Sequence, residues 1–468
     1  MENEHCYKKN PVQMTKNEFI SNLNSTWNLQ SDAMRFDDGD IPFQLKIRRI
    51  LIPQMLYQLP ESYYIDTLCR QKKWMMSDPY FGSEFYKISE IKLDEYYEIT
   101  FYFIIISINT TSESYKISYS TLISHLYPKY SIITICNYIK LVGNSESDFK
   151  LFFKKFGQEK MPNWEFFEDT PLLIKPILYD KGEVYIFSKV ILNAGIINLV
   201  PLLLKRSKGE HYKEHLGSTM ESYVGEVMND NGINFISEKC IKDIYRKNSI
   251  KGKVVDFLIE ENDGYIFIDS KAIEPETVVK TSATPKQLKE RLEGSFLKGI
   301  YQAQECAFKI NSIGMLTTKK KISAIIVTHQ DHFISSGSKV ELMIDPSIVK
   351  NILTKYGSIN IPLKNIHYIT IDDMESLCTL SKERKQTITS ILEKFTANDQ
   401  TIETSKFNFS QHIQTEARGV NTNYHLIALE RENLFKKMSI LVNHKDYFWS
   451  GKVYYFLKCH SEMNTLLC

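Results

Sequence analysis

The segment from Val254 to Lys271 constrains the fold of this chain more than any other. Val254-Val255-Asp256-Phe257-Leu258-Ile259 and Tyr265-Ile266-Phe267-Ile268-Asp269-Ser270-Lys271 are rich in the β-branched and aromatic residues that suit strands. Between them Glu261-Asn262-Asp263-Gly264 is polar and ends in glycine, as a short hairpin loop requires. With those residues as the loop, Glu260 pairs with Tyr265, Leu258 with Phe267, Asp256 with Asp269 and Val254 with Lys271. Side chains alternate along a strand, so both aspartates and the lysine share one face. Directly opposed residues sit about 4.5–5.5 Å apart at Cβ, where like charges repel. A divalent cation held between the two carboxylates is the simplest compensation.

A solvated charged surface would account for the charges alone. The same face, however, carries Val254, Leu258 and Phe267, and the opposite face (Val255, Phe257, Ile259, Ile266, Ile268) is apolar throughout. A hairpin buried on both sides that keeps two acids and a lysine at one end has the character of a reaction site.

Asp256, followed after a strand-turn-strand interval by Asp269-Ser270-Lys271, resembles the core motif of the PD-(D/E)xK nuclease superfamily. The resemblance spans roughly Gly217 to Thr328, with Val255 where many members have proline. It implies an α/β fold with a restriction-endonuclease-like core, a mixed central sheet flanked by helices, in the order helix, strand, hairpin, helix, strand. The flanking segments fit that order. Gly217 to Met228 has helical spacing, with Met220, Val224, Val227 and Met228 on one side, Ser218 or Thr219 as cap and Asn231-Gly232 as terminator. Ile233-Asn234-Phe235-Ile236 is expected as the first core strand. Lys286 to Ile310 carries an apolar helical stripe (Leu288, Leu292, Phe296, Ile300, Ala303, Ala307), weakened in its middle by Gly294 and Gly299. Lys321 to Thr328 is a buried strand. Members of the superfamily often complete the acidic site with a glutamate of the first helix, which implies Glu221, with Glu226 in reserve. They also place a polar residue of the later helix near the scissile phosphate, which implies Gln302, with Lys298 behind it.

The chemistry follows from the residue types. A phosphodiester is anionic and repels hydroxide, so its hydrolysis needs positive charge on the phosphoryl oxygens. Mg²⁺ between Asp256 and Asp269, with Mn²⁺ as a substitute, would supply that charge and lower the pKa of a bound water. The resemblance implies the Ser270 carbonyl and Glu221 as further ligands. Lys271 would hold the water or stabilise developing charge. The expected catalytic set is therefore Asp256, Asp269, Lys271, Glu221 and Gln302.

At 468 residues, with 24% charged and 43% hydrophobic residues, the chain is expected to form more than one globular domain. Three segments are expected: an α+β accessory domain at 1–160, the nuclease domain at 161–345, and an α/β extension at 346–468. Met161-Pro162-Asn163 marks the first boundary. The net charge of +2 gives no global signature for nucleic acid. Locally, Lys242, Arg246, Lys247, Lys251 and Lys253 precede the hairpin, and Lys280, Lys286, Lys289, Arg291 and Lys298 follow it. Eight cysteines without a Cys-x-x-Cys pair argue against a thiolate zinc site or a disulfide framework and suit a reducing cytoplasm. No signal peptide is visible. Ile99 to Ile106 is expected as a strand, and Val190 to Leu204, interrupted by Pro201, as a packed helix rather than a membrane span.

Elsewhere, Phe43 to Leu59 has the pattern of a basic helix, and Tyr119 to Val142 that of two short helices around a turn, for which a helix-turn-helix is one reading. Pro346 to Tyr356 is expected as helix, His367 to Ile371 as strand and Thr379 to Phe395 as helix. A rival constellation is His211-Tyr212-Lys213-Glu214-His215, the His-x-x-Glu-His spacing of inverted zinc peptidases. Its flanks (Lys205 to Gly209) suit a surface turn better. His329-Gln330-Asp331-His332 is similarly metal-like in composition. The functional expectation is a metal-dependent nuclease acting on nucleic acid, DNA before RNA, in bacterial defence or restriction, with room in the accessory region for a protein partner or a second copy and no membrane association. The alternatives are a nuclease fold that binds nucleic acid or a partner with little cleavage, and a zinc hydrolase using His211, Glu214 and His215.

Overall fold

Packing divides the chain into two units, neither of them continuous in sequence. In this computed structural model, which describes residues 14–33, 42–156, 166–282 and 284–467, one unit comprises the described residues within 1–39, 53–212 and 426–468. The other comprises those within 40–52 and 213–425. The division cuts across the three consecutive segments expected from the sequence. The described residues between 161 and 212 pack with the first unit, and 346–425 pack with the sheet that carries the hairpin. The boundary expected at Met161-Pro162-Asn163 lies outside the described residues. Each unit is mixed α/β, a small mixed sheet flanked by helices.

In the first unit the strands are Tyr115–Ser118 (β1), Gly143–Ser145 (β2), Ile177–Asp180 (β3) and Glu183–Ile186 (β4), in the order β1-β4-β3-β2. The β3–β4 turn is Lys181-Gly182, with φ of 44° and 83°. Both central residues are left-handed, as a two-residue hairpin of the right twist demands. Ile99 to Ile106 is not a strand. It lies within the helix Leu93–Asn109, whose Tyr96, Tyr97, Phe101 and Phe103 are wholly or almost wholly buried. An unbroken apolar run has no period to separate buried strand from buried helix, and here packing within a buried core favours the helix. Glu98 in that helix receives Lys129, Lys437 and Tyr130, which hold its carboxyl down to about 2 against the cost of burial. The expected helix at Val190 to Leu204 is part of Lys189–Lys208. This helix is long and apolar enough to cross a membrane, and 56% of the apolar window is buried inside the protein. Tyr119–Leu126 and Ile132–Val142 are the two short helices expected there.

In the second unit the sheet is β5-β6-β7-β8-β9, built from Ile236–Ser237, Phe257–Glu260, Gly264–Lys271, Lys321–Thr328 and Ile366–Thr370. The pairs β5–β6 and β6–β7 are antiparallel; β7–β8 and β8–β9 are parallel. The hairpin register is the expected one: Glu260 pairs with Tyr265 and Leu258 with Phe267. The ladder is shorter than expected, because β6 begins at Phe257 and the first strand contracts from Ile233–Ile236 to Ile236–Ser237. The helix expected from Gly217 starts at Glu210 and runs to Asp230. Thr219 is therefore inside it, its hydroxyl donating to the His215 carbonyl rather than capping, and Gly232 at φ 74° follows its end. The helix expected over Thr379 to Phe395 is two, Ile371–Arg384 and Ile388–Asn398, divided at Lys385 with φ 53°. The glycine-weakened stretch expected in the middle of the 286–310 helix is a π-helical turn, Glu293–Leu297, between Pro285–Leu292 and Lys298–Ser312.

Two long-range contacts fix this unit. Arg48, of the Phe43–Met55 helix, is buried and not part of a basic surface; its guanidinium donates to the carbonyls of Val279 and His332 at 2.7 Å each. The hairpin loop caps the Ile388–Asn398 helix, since the Glu261 carboxylate accepts the amides of Ile388 and Thr389 at 2.9 and 2.8 Å. Gly264 is required beside that cap. A Cβ there would lie 2.5 Å from Cγ2 and 3.0 Å from Cβ of Thr389, which is itself buried. Gly264→Ala is expected to lower stability by about 1–3 kcal/mol through overpacking. Adding Thr389→Ala should recover much of that loss, and thermal or urea unfolding of the four proteins in a double-mutant cycle measures it.

Candidate functional site

The hairpin ladder ends where its acids begin. Asp256 stands one residue ahead of β6, and continuing the register of Phe257 with Ile268 sets it opposite Asp269. There the strand no longer pairs through its backbone; instead Asp256 Oδ2 accepts the Ser270 amide at 2.6 Å. Asp269 is 1% exposed. Lys271, two residues on and therefore on the same face, brings Nζ to 2.5 Å from Asp269 Oδ2. That contact is a close ion pair on Oδ2, while Oδ1 is buried with no hydrogen-bond partner among the described residues.

Gln302, on the Lys298–Ser312 helix, clamps the arrangement from above. Its Oε1 accepts Lys271 Nζ at 3.3 Å and its Nε2 donates to the Val254 carbonyl at 2.5 Å. One amide thus ties the lysine to the backbone just ahead of Asp256. The helix lies close enough for this because Gly299 packs on Ile326 of β8; a Cβ on Gly299 would sit 2.8 Å from Ile326 Cδ1. Ile326 is the β8 partner of Asp269 and pairs in turn with Tyr368 of β9. Asp269, Ile326 and Tyr368 therefore form one row across the sheet. Phe296, from the π-helical turn, stacks on Tyr368 at 4.2 Å between ring centroids and accepts the tyrosine hydroxyl on its carbonyl at 2.8 Å. Both rings are buried in the core of this unit.

The electrostatics follow from this enclosure. Burial pushes the Asp269 carboxyl up to about 7, Lys271 pulling it down and the Asp256 charge pushing it further up. Asp256 is also raised by burial, against the Ser270 amide that favours its ionised form. Glu221 is half-buried on the Glu210–Asp230 helix and raised by burial and then by the charge of Asp256, so it shares the field of the pair. Lys298 is exposed at the start of its helix, and its charge reaches Asp269.

The expected residues Asp256, Asp269, Ser270, Lys271 and Gln302 are thus joined by contacts, with Glu221 coupled through charge. The Val254 carbonyl, Phe296 and Tyr368 were not anticipated. Nothing in the local sequence distinguishes them, because each acts through an element remote in the chain. Among the described residues no three His, Cys, Asp or Glu side chains gather as a ready-made metal cage. A cation at Asp256 and Asp269 would therefore complete its shell with backbone carbonyl and water, a habit of Mg²⁺. The buried Asp269 Oδ1, with no hydrogen-bond partner among the described residues, fits such an ion, while Oδ2 faces the Lys271 ammonium.

The other candidates have different settings. His211, Glu214 and His215 lie in the first turns of the Glu210–Asp230 helix, where the His211 ring stacks on Tyr80. In the 329–332 segment His329 Nδ1 lies 3.2 Å from Glu274, and Asp331 accepts the Phe333 amide and the Asn408 side chain. Several of the flanking cations are paired: Lys242 with Glu238, Arg246 with Asp243, Lys289 with Asp345 and Arg291 with Glu276. No protein-family model matches the chain, and no curated protein matches it in sequence.

An aspartate whose folded pKa is raised binds more protons folded than unfolded, so its contribution to stability falls as pH climbs from about 4 to 7. The displacement from 3.8 to about 7 bounds that loss at about 4 kcal/mol. In metal-free protein, Asp269→Asn is expected to unfold at a higher temperature than the parent at pH 8, with the difference shrinking toward pH 4. Thermal unfolding in EDTA across that range tests this, and an equal or lower melting temperature for the variant at pH 8 contradicts it.

Proposed function

We propose that this chain is a metal-dependent nuclease with a restriction-endonuclease-like core, hydrolysing phosphodiester bonds of nucleic acid. The observation that carries the reading is the enclosed row of Asp256, Asp269 and Lys271 at the end of the hairpin, with Lys271 held between Asp269 and Gln302. The element order supports it as well: helix, short strand, hairpin, helix and parallel strand occur in that sequence, with one further helix, Glu238–Lys247, between the short strand and the hairpin. The resemblance of the motif supplies the preference for DNA and the setting in bacterial defence or restriction.

In this reading Asp256, Asp269 and the Ser270 carbonyl would hold Mg²⁺, with Glu221 beside them, and the ion when bound would supply Lewis acidity toward the phosphodiester. The protein's own residues do the rest. The Lys271 ammonium, fixed by Gln302 and Asp269, orients the attacking water and stabilises the charge that develops on the phosphate. Gln302 spends both ends of its amide on Lys271 and Val254, so it serves as a positioning residue. Asp269 is almost wholly buried, which strengthens the charge interactions it makes.

Purified protein with Mg²⁺ is expected to cleave at least one of plasmid, linear DNA or RNA, and EDTA should stop it. Asp269→Asn and Lys271→Ala should each reduce the rate by about 100-fold or more while the protein remains folded by circular dichroism. Undiminished cleavage by either variant, or no cleavage of any substrate with Mg²⁺ or Mn²⁺, rejects the proposal. Replacing His211 and His215 together by alanine is expected to leave cleavage unchanged; stoichiometric zinc in the purified protein and loss of hydrolysis in that variant would favour zinc chemistry instead.

A further inference from the structure

Two of the basic residues that precede the hairpin, Lys251 and Lys253, are joined in the fold by lysines from remote segments, Lys309 and Lys355. Gly252, between Lys251 and Lys253, packs against the Lys298–Ser312 helix, where an added Cβ would lie 3.4 Å from Lys309 Cε and 3.0 Å from Glu305 Oε1. The Lys253 amide donates to Glu305 Oε1 at 2.9 Å. From the Ile348–Tyr356 helix, Lys355 Nζ reaches Glu305 Oε2 at 3.0 Å, and Tyr356 donates its hydroxyl to the same oxygen at 3.1 Å. The Lys355 ammonium thus pairs with Glu305, Lys253 reaches the same carboxylate through its backbone amide, and Gly252 sets Lys251 and Lys253 against the helix turn that carries Lys309. Lys251, Lys253 and Lys355 are exposed.

This cluster is continuous with the site. Lys251 lies five residues before Asp256, at most about 17 Å of extended chain. Lys309 lies two helical turns beyond Gln302, about 10 Å along the axis. Gln302 and Glu305 are one turn apart on the helix and hold consecutive parts of the same strand entry, Val254 and Lys253. The rings present, Phe308 and Tyr356, lie under the lysines, with Lys309 at 5.7 Å and Lys355 at 4.9 Å from their centroids.

We propose that Lys251, Lys253, Lys309 and Lys355 form a track for the sugar–phosphate backbone of a polynucleotide leading away from the acidic pair. The inference rests on the proposed nuclease reading for its direction and deepens it. The substrate is a long nucleic acid gripped through phosphates over about three to five steps of duplex, independently of base sequence.

The test changes all four lysines to glutamine in the full chain. In the Asp269→Asn background, anisotropy of a labelled duplex of about 20 base pairs should show binding weakened about tenfold or more. The slope of log Kd against log salt should fall by about two to four. In the otherwise unchanged protein, KM for the duplex should rise in parallel while kcat and hydrolysis of bis(p-nitrophenyl) phosphate hold. Should the quadruple variant fail to fold, the pairs Lys251/Lys253 and Lys309/Lys355 are changed separately, each expected to remove about half of the slope change. Unaltered affinity and slope overturn the track even if the parent protein cleaves. Weakened binding in a protein whose parent cleaves nothing would instead retain the track and reject the nuclease reading.

Discussion

The second unit is organised around one unfavourable placement, the Asp269 carboxylate buried near the end of a β-strand and offset by the Lys271 ammonium against one of its oxygens. A side chain in that position is tolerable only if the strand that carries it cannot move. β7 is the strand best able to meet that condition, since it pairs with β6 on one edge and along its full length with β8 on the other. Ile266 and Ile268 on one face and Phe267 on the other are fully buried. Sliding the strand by one residue would exchange Asp269 for Ile268 or Ser270 and turn every side chain over.

The helix layer then determines what Asp269 experiences. A π-helical turn between two α-helical stretches widens the backbone locally and changes the phase of the residues that follow. Phe296 falls on Tyr368 within that turn, while Gln302, a turn and a half further on, reaches Lys271. Gly299 allows the close approach that both contacts need. The same layer thus fixes the lysine beside the acid, and that charge opposes burial in setting the acid's protonation.

Remote segments complete the frame. Arg48 bonds two backbone carbonyls at the end of the sheet where Lys271 and Thr328 pair, and Glu261 of the hairpin loop holds the amides that begin the Ile388–Asn398 helix. Both are charged groups bound to backbone, a strong class of contact when buried. Substituting either would leave carbonyls or amides without partners inside the fold.

Much of the hairpin was legible in the sequence. The period of two, the polar loop ending in Gly264 and the spacing of Asp256, Asp269 and Lys271 determined the register and the shared face, because these depend only on neighbouring residues. The apolar stripe from Leu288 to Ala307 and the weak point within it were legible for the same reason. What the tertiary structure alone decided depends on groups far apart in the chain. The Ile99–Ile106 run became helix within a buried core, and residues 346–425 joined the hairpin's sheet through the parallel pairing of β9 with β8. Asp256 gave up its place in the ladder for the Ser270 amide, and Gln302 turned to Lys271 and Val254. Local pattern specifies which way a side chain faces; only long-range packing specifies what it meets there and how much water remains.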